Sequence, residues 1–325
     1  MKIKMSHGSG GSDTSQLIND VFMQYFSNHY NAPMEDSALL NISGRLAFTT
    51  DSFVVKPVFF PGGNIGRLSI CGTVNDLLTA GAVPKYLSAA FILEEGLPIE
   101  DLHKICRSMA ETAKEAGVQI VTGDTKVIEG NGGICINTSG IGALEDSPFS
   151  FGNACEGDAI IVTGNLGDHH ACILSRRMAI ENTIKSDASP LCDIVFSLKK
   201  AKIPVHGMRD ITRGGLATVL NEIFAASGFA PVIMEEDIPV GEEVKAFAKI
   251  LGLDPLAMGN EGKLVLLVPK EYAEKALQII KNAEYGENAV CIGTMQGGGR
   301  PSMITAYGGK RIIAPLMGEG LPRIC

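Results

Sequence analysis

The chain has no tryptophan, no long apolar run and no apolar stretch near its start. A membrane-spanning helix needs roughly 18 consecutive apolar residues, and no segment reaches that length. The first residues, MKIKMSHGSGG, lack the apolar core of a secretory signal peptide. The absence of tryptophan excludes a site that stacks its ligand on an indole ring. We therefore expect a cytoplasmic protein that has no membrane partner.

Positive charge is scarce as well, with 28 Lys and Arg residues against 36 Asp and Glu residues. The net charge of −8 excludes a broad basic surface for nucleic acid and leaves only a local basic pocket open. The eight cysteines include no C-x-x-C pair, and the six histidines include no H-E-x-x-H motif. We expect reduced thiols, most of them in the core, and the spacing disfavours a structural zinc site.

Length and periodicity predict two domains of mixed strands and helices. NIGRLSICGTVNDLLTAGA and IEDLHKICRSMAETAKEAG have helical periods, whereas LAFTTDSFVV and VQIVTG are typical of strands. A linker rich in Pro, Gly and charge at 145–158 precedes a second set of strands and helices. We predict an α/β (α+β) fold with four parts: a glycine-rich segment and helix at 1–35, an N-terminal domain at 36–148, a C-terminal α/β domain at 149–305, and a mobile tail at 306–325.

The last residue, Cys325, is the most informative one. Thiolates are good nucleophiles and group carriers, and a terminal thiol has a single covalent neighbour. The preceding segment is rich in Gly and Pro, which favours an extended and mobile chain. A frayed terminus that happens to end in cysteine is the alternative.

Three carboxylates stand at strand ends or inside an apolar helix. Asp51 follows the apolar LAFTT, Asp76 lies in TVNDLL beside Asn75, and Asp124 ends VQIVTGD. Burying an unpaired carboxylate is costly, so Asp76 needs a cation or several hydrogen-bond donors. Together Asp51, Asp76 and Asp124 are a plausible ligand set for Mg²⁺, which prefers oxygen ligands and substrate phosphates. A helix cap, a helix surface and a turn are the respective alternatives.

Glycine-rich segments before helices supply the other half of a nucleotide site. HGSGGSDT, which contains Gly8, Gly10 and Gly11, precedes the helical pattern QLINDVFMQYF. RDITRGGLATVL, which begins at Arg209 and includes Asp210 and Arg213, places two glycines at a second helix start. Free backbone amides at helix starts bind phosphate, although each such loop alone is a weak signal. Lys126 and Glu261 are further candidates, with a solvated turn as the alternative for both.

Taken together, these strings resemble the HypE family of hydrogenase maturation proteins. The resemblance rests on HGSGG, TTDSFVV, FFPGGNIGRLSICGTVNDL, FILEEGLP, IVTGDTKV, RDITRGGL, NEGKLV and the terminal PRIC, in this order over essentially the full length. The family shares its superfamily with aminoimidazole ribonucleotide (AIR) synthetase, selenophosphate synthetase and thiamine-monophosphate kinase. It implies two α/β domains, a homodimer whose N-terminal strands form a barrel, and ATP bound near that interface.

The resemblance also implies a reaction and partners. A HypF-like carbamoyltransferase loads a carbamoyl group onto the Cys325 sulfur, and ATP-dependent dehydration converts the S-carboxamide to a thiocyanate. The cyano group then passes to iron on a HypC–HypD complex, for a [NiFe]-hydrogenase. The Mg–ATP set implied here comprises Gly8, Gly10, Gly11, Asp51, Asn75, Asp76, Asp124, Asp210 and Arg213. Cys325 carries the substrate group, Glu261 is the expected base, and Lys126 gives electrostatic support.

One departure from the family pattern and two rival functions stay open. GDHH stands where GDHG is expected, so His170 puts the local loop geometry in doubt. A small-molecule kinase or synthetase of the same superfamily would explain the Mg–ATP set but not the terminal cysteine. A non-enzymatic thiol carrier would explain the tail but not the acidic and glycine-rich sets.

Overall fold

The computed structural model describes residues 1–31 and 37–315 of the chain. Its N-terminal part carries the helices α1 (Ser12–Leu17), α2 (Met23–Phe26), α3 (Ile65–Thr79) and α4 (Ile99–Glu115), with a π-helical turn at Ile18–Phe22. Its strands are β1 (Arg45–Phe53), β2 (Phe59–Phe60), β3 (Gly63–Asn64), β4 (Val83–Glu94), β5 (Gln119–Ile128) and β6 (Ile134–Leu144).

The first sheet has the strand order β1-β6-β4-β5, so β1 and β5 are its two edges. One face is covered by α3, which is buried on nearly all sides, and by the amphipathic α4. The other face exposes apolar side chains: Phe48 is 70% exposed, and Leu46, Ile92 and Ile128 are each more than 40% exposed. We call these four residues the open face. Within the described chain this sheet does not close on itself, and the predicted barrel would need a second copy.

The second sheet has seven strands in the order β13-β12-β9-β11-β7-β10-β8. These strands are β7 (Ala159–Val162), β8 (Gly207–Asp210), β9 (Ala230–Met234), β10 (Leu264–Val268), β11 (Val290–Gln296), β12 (Ser302–Ile304) and β13 (Lys310–Ile312). The helices of this half are α5 (Asp168–Arg177), α6 (Cys192–Lys200), α7 (Gly215–Ser227), α8 (Glu242–Leu251) and α9 (Ala273–Asn282). Every residue of β7 and β10 is buried, since these central strands have helices or neighbouring chain on both faces.

The mixed α/β architecture in two halves is as predicted. Most strands and helices expected from periodicity are present, including the long strand at LAFTTDSF and the helix at NIGRLSICGTVNDLLT. Strand β5 continues through Asp124 and Lys126 to Ile128, so these two residues lie within a strand rather than in the turn after it.

The segment predicted to be a mobile tail begins with ordered structure. Strand β13 pairs with β12, and Arg311 forms an ion pair with Asp254 at 3.1 Å. Ile313 is buried, its backbone N–H donates to the carbonyl of Pro301, and its carbonyl accepts from Asn221 of α7. Residues 306–313 are therefore held against the second sheet, because the short hairpin satisfies its backbone groups there. Residues 316–325, including Cys325, lie outside the described residues.

None of the helices within the described ranges is both long and apolar enough to span a lipid bilayer.

Candidate active site

Four carboxylates from different elements converge between the two halves. Asp51 comes from β1, Asp76 from α3, Asp210 from the end of β8, and Glu261 from the turn before β10. The charge of Asp51 acts on the other three carboxylates, and the charge of Asp210 acts on Asp76 and Glu261. We call these four residues the acidic cluster. The sequence predicted all four as site residues, and the structure brings them together.

Close packing of β1 on α3 sets the position of Asp51 and Asp76. Gly72 of α3 lies against the ring of Phe53, and a Cβ atom at Gly72 would come within 2.8 Å of that ring. A carboxylate oxygen of Asp51 lies beside the same glycine, 3.6 Å from where its Cβ atom would be. The hydroxyl of Thr49, on the same face of β1, donates to Asp76 Oδ2 at 2.8 Å. Glycine at position 72 therefore lets the edge strand approach the helix closely enough to unite the two carboxylates.

The acidic cluster is short of positive charge. Burial raises the pKa of Asp76 to about 6, with further upward contributions from Asp210 and Asp51. Burial also raises the pKa values of Asp51 and Asp210. Glu261 is fully enclosed, and burial together with Asp187, Asp210 and Asp51 raises its pKa well above the ordinary range. Uncompensated carboxylates of this kind fit a divalent cation bound through oxygen ligands.

Two arginines act on this cluster: Arg209 on Asp76 and Asp210, and Arg213 on Asp51 and Glu261. Arg213 lies just before α7, where Gly214 and Gly215 both have positive φ angles. The positive charge of Arg213 lowers the pKa of Asp51 and of Glu261. Arg209 is shared with Glu222 in an ion pair at 3.2 Å. Two arginines cannot neutralise four carboxylates, which leaves negative charge for a metal ion to compensate.

Glu261 is held by residues that the sequence analysis did not identify. Its backbone N–H donates to Asp187 Oδ1 at 3.1 Å, and Asp187 Oδ2 lies 3.3 Å from Lys263 Nζ. Asp187 and Lys263 also line a polar cleft of about 370 Å³ together with Asp168. Burial and the charge of Asp187 raise the pKa of Asp168 to about 7. Asp187 stands in KSDASPL, which carries no motif, so no sequence signal pointed to it.

A second group of predicted residues forms a separate pocket at the β5 edge. A cavity of about 390 Å³ is lined by Gly8, Gly10, Asp124 and Lys126, together with residues of α1 and α2. We call it the glycine pocket. Gly8 lies on β5 so closely that a Cβ atom would come within 2.8 Å of the backbone nitrogen of Val127. Lys126 Nζ and the carboxylate of Asp124 form an exposed ion pair at 3.0 Å.

Within one copy of the chain, the acidic cluster and the glycine pocket are apart. Asp51, Thr138, Ala89 and Gly123 are paired in one row across the first sheet, with Asp51 on one edge strand and Gly123 on the other. Three strand spacings separate these edges, which is about 14 Å. The predicted metal set of Asp51, Asp76 and Asp124 is therefore not assembled in a single copy, because strand order places Asp124 at the opposite edge.

The remaining predicted residues have other surroundings. The Asn75 side chain donates to the carbonyl of Ser189 and accepts from the N–H of Leu191, so it fixes the loop that carries Asp187. Gly11 is the residue before α1 and has open space beside it. His170 is buried in α5, and its backbone N–H donates to Gly259, so the GDHH sequence is compatible with a regular helix start.

Comparison with known proteins identifies the family to which each half of the chain is similar. Residues 34–144 match the family model of the AIR synthase related protein N-terminal domain, and residues 156–305 match that of its C-terminal domain. The carbamoyl dehydratase HypE of Escherichia coli (strain K12) is 43% identical over 335 residues, which cover 99% of each chain.

Solved structures give the same result. A crystal structure of hydrogenase maturation protein HypE in complex with ATP has a TM-score of 0.95 and 44% identity and covers 99% of both chains. A crystal structure of a HypE–HypF complex has a TM-score of 0.81 and 48% identity, over 92% of this chain and 99% of that one. The resemblance inferred from the motifs is therefore confirmed, and the chain belongs to the HypE family of AIR synthase related proteins.

Proposed function

We propose that this protein uses ATP to dehydrate an S-carboxamide on Cys325 to a thiocyanate. The observation that carries the proposal is the acidic cluster, in which a fully buried Glu261 with a raised pKa lies beside carboxylates suited to a metal ion. The relatives named carbamoyl dehydratase HypE, and the HypE structure with ATP, support the reaction and the nucleotide.

Asp51, Asp76 and Asp210 would hold Mg²⁺. The fit rests on their raised pKa values, since compensation by a divalent cation would remove the cost of burying these charges together. Bound there, Mg²⁺ would neutralise charge on the ATP phosphates. Arg213, whose charge acts on Asp51, would orient the same phosphates through its guanidinium.

A homodimer would complete the nucleotide site. The acidic cluster lies at the β1 edge and the glycine pocket at the β5 edge, and the open face between them exposes apolar side chains. Closing two such sheets into one barrel would pair β1 of one copy with β5 of the other and bury both open faces. Each site would then combine Asp51 and Asp76 of one copy with Gly8, Gly10, Asp124 and Lys126 of the second.

The chain beyond residue 315 is long enough to bring Cys325 to the acidic cluster. Ile313 is tied to Asn221 of α7, and six residues of helix separate Asn221 from Gly215, a rise of about 9 Å. Ten further residues, 316–325, can extend over as much as ~33 Å. The sulfur can therefore reach the site and also leave it to meet a partner.

The reaction has two steps at the carboxamide. Its oxygen attacks the γ-phosphorus of ATP, and the bond to ADP breaks. The nitrogen loses one of its two protons to solvent as the O-phosphorylated imidate forms. The second N–H proton then passes to Glu261, the C–O bond breaks, and phosphate leaves a C≡N group on sulfur. A carboxylate with a raised pKa is a stronger base than an ordinary one, which suits Glu261 to this proton. Lys126 would stabilise the negative charge that develops on the transferred phosphoryl group.

Two protein partners follow from this chemistry. A HypF-like carbamoyltransferase would load Cys325, and the HypE–HypF complex in the comparison supports such a pairing. A HypC–HypD complex would accept the cyano group. Both encounters require Cys325 to leave the acidic cluster.

Intact mass spectrometry tests the function. The protein is incubated with its carbamoyltransferase, carbamoyl phosphate and ATP, and we expect a carboxamide adduct on Cys325 that then loses one water. Glu261→Gln should accept the adduct and retain the water, because the amide cannot take the proton. Glu129→Gln, an exposed residue after β5, is the matched control and should behave like the wild type.

The same experiment separates the rival functions. A thiol carrier would form the adduct without consuming ATP, and a small-molecule kinase would consume ATP without modifying Cys325. Dehydration at the wild-type rate in Glu261→Gln would exclude Glu261 as the base.

A further inference from the structure

Cys155, Asp158 and His206 form a cluster of three different metal-binding side chains away from the acidic cluster. Their ligand atoms, one from each residue, all lie within 4.8 Å of one another. Asp158 is buried, His206 is half-buried, and Cys155 is exposed, so the cluster opens to solvent on the thiol side. We call it the Cys-Asp-His cluster.

Backbone hydrogen bonds fix this cluster from several directions. The N–H of His206 donates to the carbonyl of Leu267 on β10, and its own carbonyl accepts from the N–H of Ser150 in the linker. The N–H of Cys155 and Nδ1 of His206 both lie within hydrogen-bond distance of Asp158 Oδ2, at 2.8 and 2.7 Å. The three side chains are thus held in place before any ligand binds.

We propose that the Cys-Asp-His cluster is a binding site for a divalent transition ion of the zinc class. A thiolate, an imidazole nitrogen and a carboxylate oxygen are three of the ligand types that Zn²⁺ takes, and water can occupy the fourth position of a tetrahedral site. The thiolate and the carboxylate together neutralise the two charges of the ion.

Metal binding requires small local changes in protonation and hydrogen bonding. The Cys155 thiol, which now donates to the carbonyl of Asn153 at 3.5 Å, loses its proton to solvent as the metal–sulfur bond forms. The hydrogen bond between His206 and Asp158 opens, and a ring nitrogen of the neutral imidazole binds the ion. No redox change is involved.

The position of this site indicates a structural role. His206 precedes β8 and Asp210 of the acidic cluster ends it, so about 13 Å of strand separates the two sites. Ser150 and Phe149 belong to the linker between the two halves. The backbone N–H of Phe149 donates to the carbonyl of Ala80, the residue after α3. A metal ion at the Cys-Asp-His cluster would therefore fasten the linker to the edge of the second sheet.

Cobalt substitution tests the proposal on the full-length chain. Co²⁺ is titrated into the metal-free Cys325→Ser variant, which removes the terminal thiol as a competing ligand. We expect a thiolate-to-cobalt absorption band at one equivalent, its loss when Cys155→Ser is added, and its displacement by Zn²⁺. Cys291→Ser, a half-buried thiol elsewhere in the second sheet, is the matched control and should retain the band.

A second measurement concerns stability. Zn²⁺ should raise the melting temperature of the Cys325→Ser variant, and this rise should disappear in both Cys155→Ser and His206→Gln. Because Cys155 is exposed, its replacement should leave the metal-free melting temperature unchanged. Absence of a cobalt band in the Cys325→Ser variant, or its persistence after Cys155→Ser, would overturn the proposal.

Discussion

At the residue scale, Asp76 has the environment that we propose for a metal-binding residue. Its carboxyl sits in a helix that is mostly buried, and its pKa of about 6 lies above the ordinary value of 3.8. Burying an ionised carboxylate destabilises the folded state, so a residue selected for stability alone would not be an aspartate here. The sequence analysis could predict Asp76 because an acidic residue interrupts an apolar pattern, which is visible without a structure.

Replacing Asp76 with Asn should stabilise the metal-free protein and weaken Mg–ATP binding. The raised pKa means that the folded state prefers the protonated carboxyl of Asp76. The ionised carboxylate therefore destabilises the fold, and this destabilisation is absent below about pH 4, grows between pH 4 and 6, and is complete above pH 6. A shift of this size corresponds to about 1–3 kcal/mol of unfolding free energy at pH 7. Urea unfolding at pH 4 and pH 7 measures the unfolding free energy of the variant and of the wild type. The variant should be more stable only at pH 7.

Titration calorimetry with Mg–ATP tests the expected loss of nucleotide affinity. The Asp76→Asn variant should bind the nucleotide more weakly than the wild type while its metal-free form is more stable. A variant that binds Mg–ATP with unchanged affinity would place Asp76 outside the metal site.

At the scale of elements, the contact between β1 and α3 assembles one half of the site. Periodicity predicted both elements, since the helical pattern of IGRLSICGTVNDLLT and the strand pattern of RLAFTTDSF are strong. It could not predict that Asp124 and Asp51 would lie on opposite edges, because strand order depends on long-range pairing. It also missed Asp187, whose role depends on a loop pinned by Asn75 rather than on any local pattern.

Gly72→Ala tests whether this contact positions the site. The new methyl group would lie about 2.8 Å from the Phe53 ring, so β1 must move away from α3. Overpacking of this kind costs roughly 1–3 kcal/mol, and the displaced Asp51 should also weaken Mg–ATP binding. Gly152→Ala, which meets only an ordinary contact, is the control. If the Gly72→Ala protein is destabilised but binds Mg–ATP with wild-type affinity, this contact stabilises the fold and does not position the site.

The whole molecule raises the question of what completes the nucleotide site. One copy carries the acidic cluster and the glycine pocket about 14 Å apart across its sheet, and the open face exposes apolar side chains in the described structure. The proposed two-fold dimer, in which each site is shared between copies, would explain why these features coexist. An arrangement inside one copy would leave the open face without a role.

Mixing two inactive variants distinguishes these arrangements. Asp76→Asn removes a residue of the acidic cluster, and Lys126→Ala removes one of the glycine pocket, so each homodimer should be inactive in thiocyanate formation. If each site combines the two clusters from different copies, a mixed dimer contains one site with both changes and one intact site. Random reassociation of equal amounts makes half of the dimers mixed, so about a quarter of the wild-type activity should return, given closed two-fold symmetry. Sites built within single copies would give no recovery at any mixing ratio, and mixing either variant with itself provides the baseline.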